Sequence, residues 1–73
     1  MTQTEQRLFD RFCRDQLDTG QLAEALRYKN AASVLEAIRR RTFPVRTYKL
    51  GTRRVGDISD VAAYLDQQKA DAA

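Results

Sequence analysis

Histidine and tryptophan are absent from this chain of 73 residues, and cysteine and proline occur once each, as Cys13 and Pro44. A single cysteine cannot form a disulfide within the chain, and without histidine the ordinary ligand sets of zinc are missing. Histidine is also the commonest general base of enzymes, and no nucleophile–base pair stands out among the other residues. We therefore expect a protein that is not an enzyme and that binds no cofactor or metal.

Long apolar runs are missing as well. No stretch comes near the ~20 residues that span a bilayer, and residues 1–12 lack the apolar centre of a signal peptide. These absences predict a cytoplasmic protein without a membrane partner. A chain of this length forms one domain with a small core, so we expect a shallow surface site and no small-molecule ligand.

The basic residues are concentrated in the middle of the chain. Residues 27–54 carry nine Lys or Arg and one acidic residue, Glu36, whereas the rest of the chain carries four basic and nine acidic residues. The two parts have net charges of +8 and −5, which together give the overall +3. This polarity is typical of proteins that bind polyanions, although an arginine-rich surface that is merely solvated shows the same pattern.

A first helix is predicted over residues 3–15. Thr2, followed three residues later by Glu5, is a capping-box signature. Cys13 is interpreted as a small buried hydrophobe of this helix rather than a reactive thiol. Apolar residues at helical spacing indicate its buried side, which consists of Leu8, Phe9, Phe12 and Cys13.

A helix-turn-helix is predicted over residues 18–41. Asp18 or Thr19 can cap a short second helix over residues 21–28, and Asn30 can cap a third helix that runs from Ala31 to Arg41. Pro44 disfavours helical geometry in the residue before it and is expected to end the third helix. The residues expected to face the core are Leu22, Ala25 and Leu26 in the second helix, and Ala31, Val34, Leu35 and Ile38 in the third.

A β-hairpin over residues 45–58 and a last helix over residues 59–69 complete the prediction. Gly51-Thr52 can supply a tight two-residue turn at the basic tip of the hairpin, and Ser59 can cap the last helix, in which Tyr64 faces the core. The fold class is thus mainly α with a small β-hairpin. We expect a single winged helix-turn-helix domain over 1–73, with about four helices and a two-stranded wing.

The segments LAEAL, FPV, KLGTRRV and DVAAYL, in this order, resemble the small excisionase or AlpA-like branch of the MerR-type winged helix-turn-helix proteins. The C-terminal part is also similar to pyocin-activator-type regulators, and the resemblance covers about residues 18–69. Arg27 stands where such proteins often carry glycine. The resemblance implies a bacterial protein of a mobile element or phage, associated with the nucleoid when it binds double-stranded DNA in a sequence-specific way.

In such a protein the third helix enters the major groove and the hairpin lies on the adjacent phosphates. Arginine can bind the O6 and N7 atoms of guanine or grip a phosphate. Glu36 can accept a hydrogen bond from cytosine N4, or it can pair with Arg39 or Arg40 at helical spacing. The candidate DNA-binding residues are Lys29, Asn30, Ala32, Ser33, Glu36, Arg39, Arg40, Arg41, Arg46, Lys49, Thr52, Arg53 and Arg54.

The expected function is that of a small transcriptional regulator, working as a homodimer on inverted half-sites. The resemblance also allows an excisionase-like recombination directionality factor that forms a cooperative array on direct repeats. A third alternative is a protein-interaction module whose basic face binds an acidic partner. RNA is less favoured because the hairpin offers no exposed aromatic pair for stacking bases. The first helix either enlarges the core or forms a dimer interface.

Overall fold

The computed structural model describes residues 2–72 and is mainly helical. This part of the chain forms four helices and three strands. In chain order they are α1 (Gln3–Phe12), β1 (Gln16–Asp18), α2 (Thr19–Leu26), α3 (Ala31–Arg39), β2 (Tyr48–Leu50), β3 (Arg53–Asp57) and α4 (Ile58–Ala72). The predicted class is confirmed in its coarse form, since the arrangement is compatible with a helix-turn-helix-like fold, but the sheet has three strands instead of two.

The additional strand, β1, pairs antiparallel with β3, so that the strand order is β1-β3-β2. It occupies residues that were expected to connect the first two helices. In the register of the two strands, Leu17 lies opposite Gly56. A Cβ atom on Gly56 would lie 3.3 Å from Leu22 Cδ2. The missing side chain therefore lets β3 pack closely against α2.

The predicted hairpin is present, with shorter strands than the range 45–58 suggested. Leu50 pairs with Arg53 across the two-residue turn Gly51-Thr52, as expected. Gly51 has φ 68°, a conformation that glycine adopts without steric cost. Ile58, the last residue of the predicted hairpin, already belongs to α4.

Side-chain caps start three of the helices where the sequence predicted them. Thr2 accepts a hydrogen bond from the Glu5 amide at 3.1 Å, and Asn30 accepts one from the Ser33 amide at 2.9 Å. Asp18 forms a complete capping box, and Thr19 is the first residue of α2. These bonds satisfy amide groups that have no partner inside the helix.

The last helix begins one residue before the predicted cap, Ser59, which lies in its first turn. The Ile58 amide donates to the Asp15 carbonyl at 2.9 Å, so this amide is satisfied without a side-chain cap. The helix also continues past the predicted end at residue 69, where Gln67 donates to Asp71 at helical spacing. None of the helices in residues 2–72 is long and apolar enough to cross a membrane.

Three helices end earlier than predicted, because residues with positive φ reverse the backbone. The second helix was expected to reach Tyr28, but α2 ends at Leu26, before Arg27 (φ 60°). Cys13 (φ 56°) follows α1, and its amide donates to the Phe9 carbonyl. Cys13 lies beyond the helix and is exposed, so the prediction that it is buried was wrong. Arg41 (φ 60°) follows α3, which stops at Arg39, before Pro44 can act.

The core lies between the helices and one face of the sheet. Leu17, Leu22, Val34 and Val61 have no measurable exposure. Leu26, Ile38 and Tyr64 are half-buried and pack against this core. Besides Cys13, two predicted core residues are exposed instead, Phe9 by 37% and Leu35 by 48%. Leu35 is turned away from Val34 by about 100° around α3, and the short hairpin does not cover it.

Candidate nucleic-acid interface

A basic groove lies between the N-terminus of α2, the middle of α3 and the tip of the β2–β3 hairpin. Its volume is about 580 Å³, and it opens to solvent. The hairpin contributes three cationic side chains, whereas Asp18 is the acidic residue of the lining and already caps α2. The residues that line the groove are Asp18, Thr19, Gly20, Leu35, Lys49, Thr52, Arg53 and Arg54.

The hairpin register explains how the cations reach the groove. Lys49 lies opposite Arg54, and both lie on the face of the sheet that carries Leu17 and packs on the helices. Arg54 Nη1 donates to Thr47 Oγ1 at 3.2 Å, which orients the guanidinium. Like charges directly opposite each other destabilise a sheet. A bound polyanion would relieve this repulsion.

The exposed side of α3 adjoins the groove. Successive residues of a helix are turned by about 100° around its axis. In angular order starting from Leu35, the next side chains are those of Arg39, Ala32 and Glu36, and then those of Arg40 and Ser33. Val34 points into the core on the opposite side. Leu35 therefore lines the groove. Arg39 and Ala32 lie next to it around the helix, and Glu36, Arg40 and Ser33 lie progressively farther from it.

Glu36 pairs with two arginines at once. Its Oε1 accepts from Arg39 Nη2 at 2.7 Å and from Arg40 Nε at 2.8 Å. Its Oε2 accepts from Arg39 Nη2 at 2.9 Å and from Arg39 Nε at 3.2 Å. Of the two alternatives for Glu36, the structure shows the ion pair, and these four bonds fill the acceptor sites of the carboxylate. Because the pairs are exposed, each contributes only about 0.2–1 kcal/mol to stability.

The loop before α3 also brings predicted residues to the surface. Lys29 and Asn30 are exposed. Asn30 Oδ1 accepts from both the amide and the hydroxyl of Ser33, so the Asn30 amide group keeps its donors for a partner. Arg27 has φ 60°, and glycine suits this conformation better than arginine does.

Four of the thirteen predicted contact residues line the groove itself, namely Lys49, Thr52, Arg53 and Arg54, and Arg46 lies apart from them. It lines a separate hollow with Tyr48, Asp57 and Asp60. Conversely, Thr19, Gly20 and Leu35 line the groove although they were not among the predicted contacts. Their position depends on how the hairpin packs against α2 and α3, and no local sequence pattern indicates it.

Tyr48 is tied to Asp57 in this hollow. Its hydroxyl donates to Asp57 Oδ1 at 2.6 Å. This hydrogen bond, and secondarily the partial burial of the ring, raises the pKa of Tyr48 above its ordinary value, because both favour the neutral phenol. The bond joins β2 to the last residue of β3.

Tyr48 is expected to make stability fall at alkaline pH. Its pKa is raised in the folded state, so its contribution is complete below the ordinary tyrosine pKa of about 10 and is lost as pH rises through the raised value. Urea unfolding of the wild type and Tyr48→Phe from pH 8 to pH 11 would measure this. The stability difference between them should shrink above about pH 10. A constant difference would contradict the proposed linkage.

Arg41→Gly is expected to stabilise the fold by about 0.5–1 kcal/mol. The Arg41 amide donates to Ile38, and the Thr42 amide donates to Ala37 at 2.9 Å. These two bonds form the Schellman motif, whose positive-φ position favours glycine. Thermal unfolding measures the gain, and Arg40→Gly is the control, because Arg40 has right-handed helical geometry and should lose stability. Two variants of equal stability would contradict the assignment.

The comparisons with known proteins assign this chain to no group: no protein family, curated protein or solved structure matches it.

Proposed function

We propose that this protein binds double-stranded DNA in a sequence-specific way and acts as a small transcriptional regulator. In this proposal α2 and α3 form the helix-turn-helix, α3 enters the major groove, and the β2–β3 hairpin is the wing. The observation that carries the proposal is the basic groove, in which the wing cations face the exposed side of α3. The resemblance to excisionase or AlpA-like proteins of the MerR type points to the same function.

The dimensions and the charge support this assignment. With nine residues, α3 is about 14 Å long, and the major groove is about 12 Å wide and admits one helix. Lys29 and Asn30 lie at one end of α3, and Arg40 and Arg41 lie at the other. Cations at both ends of an inserted helix can contact the phosphates on the two sides of the groove.

The groove residues suggest a division of roles. The wing residues Lys49, Arg53 and Arg54 are suited to phosphates, because their long side chains are held on a hairpin beside α3. The exposed side of α3 is suited to base edges. Leu35 lies between the two and offers an apolar surface to sugars or to a thymine methyl group.

Selection of bound duplexes from a random DNA pool, at about 0.15 M salt, tests the proposal. Enrichment of one motif supports it, and the layout of the motif then defines the role. Inverted halves about 10 bp apart indicate a dimeric regulator, whereas direct repeats indicate an excisionase-like cooperative array. Failure to enrich any motif would overturn sequence-specific binding. Retention by an immobilised acidic protein but not by DNA would then favour the interaction module.

A further inference from the structure

We propose that Arg39 binds a guanine in the major groove and that Glu36 is the residue that positions it. The inference rests on the proposed function and predicts in addition that the DNA site contains one G·C base pair that Arg39 recognises. It assigns Glu36 a role in specificity, although its own acceptor atoms do not contact the base. The argument depends on which edge of the Arg39 guanidinium Glu36 occupies.

The guanidinium of arginine is a planar fork with five N–H donors and two edges that can bind a pair of acceptors. Glu36 occupies the side edge of Arg39, which consists of Nε and Nη2. The end edge consists of Nη1 and the second hydrogen of Nη2. Within residues 2–72, Nη1 of Arg39 makes no hydrogen bond. Nη2 donates to both oxygens of the same carboxylate, which one bifurcated hydrogen can do. The second hydrogen of Nη2 and Nη1 then leave the end edge open to a partner.

The open edge matches guanine. The O6 and N7 atoms of guanine are two neighbouring acceptors on the major-groove side, and a bidentate arginine is their commonest partner. Arg39 is 74% exposed, and it lies on the side of α3 next to the groove. Because Glu36 contacts the side edge at three points, it restricts the guanidinium before DNA binds, and less conformational entropy is lost on binding.

Glu36 also reduces the attraction for phosphates. Two arginines share one carboxylate, so the cluster of Glu36, Arg39 and Arg40 has a net charge of +1. Arg40 is held by Nε alone and keeps its other donors. A lower charge at this point weakens binding to any phosphate backbone, whereas the bidentate contact with a base is retained. The cluster thereby increases the ratio of specific to unspecific binding.

The test measures binding of the selected duplex, of single base-pair substitutions in it and of a random duplex. The variants are Arg39→Lys and Glu36→Gln. Glu24→Gln is the matched control, because Glu24 forms an exposed pair with Arg11 on another part of the surface and the variant changes the net charge equally. The wild type should prefer one G·C pair by roughly tenfold or more. Arg39→Lys should lose most of this preference.

Glu36→Gln should lose a large part of the same preference, by about threefold or more, while it binds the random duplex more tightly than Glu24→Gln does. Glu24→Gln should keep the preference unchanged. Arg39 and Glu24 are exposed and Glu36 is half-buried, and thermal unfolding should show all three variants folded.

Two results would overturn this inference and leave the proposed function intact. In the first, the wild type selects a motif, but Arg39→Lys alters no G·C position. In the second, Glu36→Gln keeps the full preference, or weakens selected and random duplexes equally, which would leave Glu36 a structural role only. A wild type that selects no motif would overturn the proposed function itself.

Discussion

Leu17→Ala is expected to lower the free energy of unfolding by about 2–5 kcal/mol. Leu17 has no measurable exposure and lies in the middle of β1, between β3 and the core. Its removal leaves a cavity that a three-residue strand, tied to β3 on one side, cannot easily close. A domain of this size has about 4–11 kcal/mol of total stability, so the variant should lose a large fraction of it. Urea unfolding measures the loss.

Leu50→Ala is the matched control for this prediction. It makes the same change in β2, where the leucine is 55% exposed. The free energy of unfolding should therefore change by no more than about 0.5 kcal/mol. The slope of free energy against urea should be the same for both variants, since neither changes the surface exposed on unfolding by much. Equal losses from the two substitutions would show that β1 is not packed as described.

The triple variant Lys49→Ala/Arg53→Ala/Arg54→Ala is expected to weaken DNA binding on the order of 100-fold at about 0.15 M salt. The three side chains line one groove. Lys49 and Arg53 are exposed and Arg54 is half-buried, so we expect the variant to fold. Each phosphate contact adds about 0.9 to the slope of log K against log salt. The variant should therefore flatten the slope by roughly 2.7 for the selected and the random duplex alike.

The control for this prediction removes three cations elsewhere. Arg7, Arg11 and Lys69 are exposed on α1 and α4, and none of them lines the groove. Their replacement by alanine makes the same change in net charge and should leave the slope nearly unchanged. Equal losses in the two triple variants would mean that binding follows total charge only. A wing variant with altered sequence preference would mean that the wing contacts bases.

Several elements of the fold could be predicted because their signals are local. The caps Thr2, Asp18 and Asn30 bond to amides three residues away, and the Gly51-Thr52 turn joins strands that are neighbours in the chain. The pairing of Glu36 with Arg39 and Arg40 is of the same kind, since it depends on helical spacing. Interactions over three or four residues can be found from residue types alone.

Helix ends were harder to predict than helix starts. Cys13, Arg27 and Arg41 adopt positive φ, which sequence patterns associate with glycine or asparagine. Hydrogen bonds to the preceding turn hold these residues there, for example from Tyr28 to the Ala23 carbonyl at 2.8 Å. The Arg41 backbone therefore ends α3 before Pro44 is reached.

Sequence patterns alone predict four helices, the side-chain caps of the first three, the hairpin turn and the concentration of cations in residues 27–54. Residues 16–18 form a strand because of long-range packing, since the partner of this strand lies about 40 residues further along the chain. The same packing decided that Leu35 is exposed and that it meets Lys49 and Arg54 in one groove. A short segment has no periodicity of its own, so its structure depends on the surface that it meets.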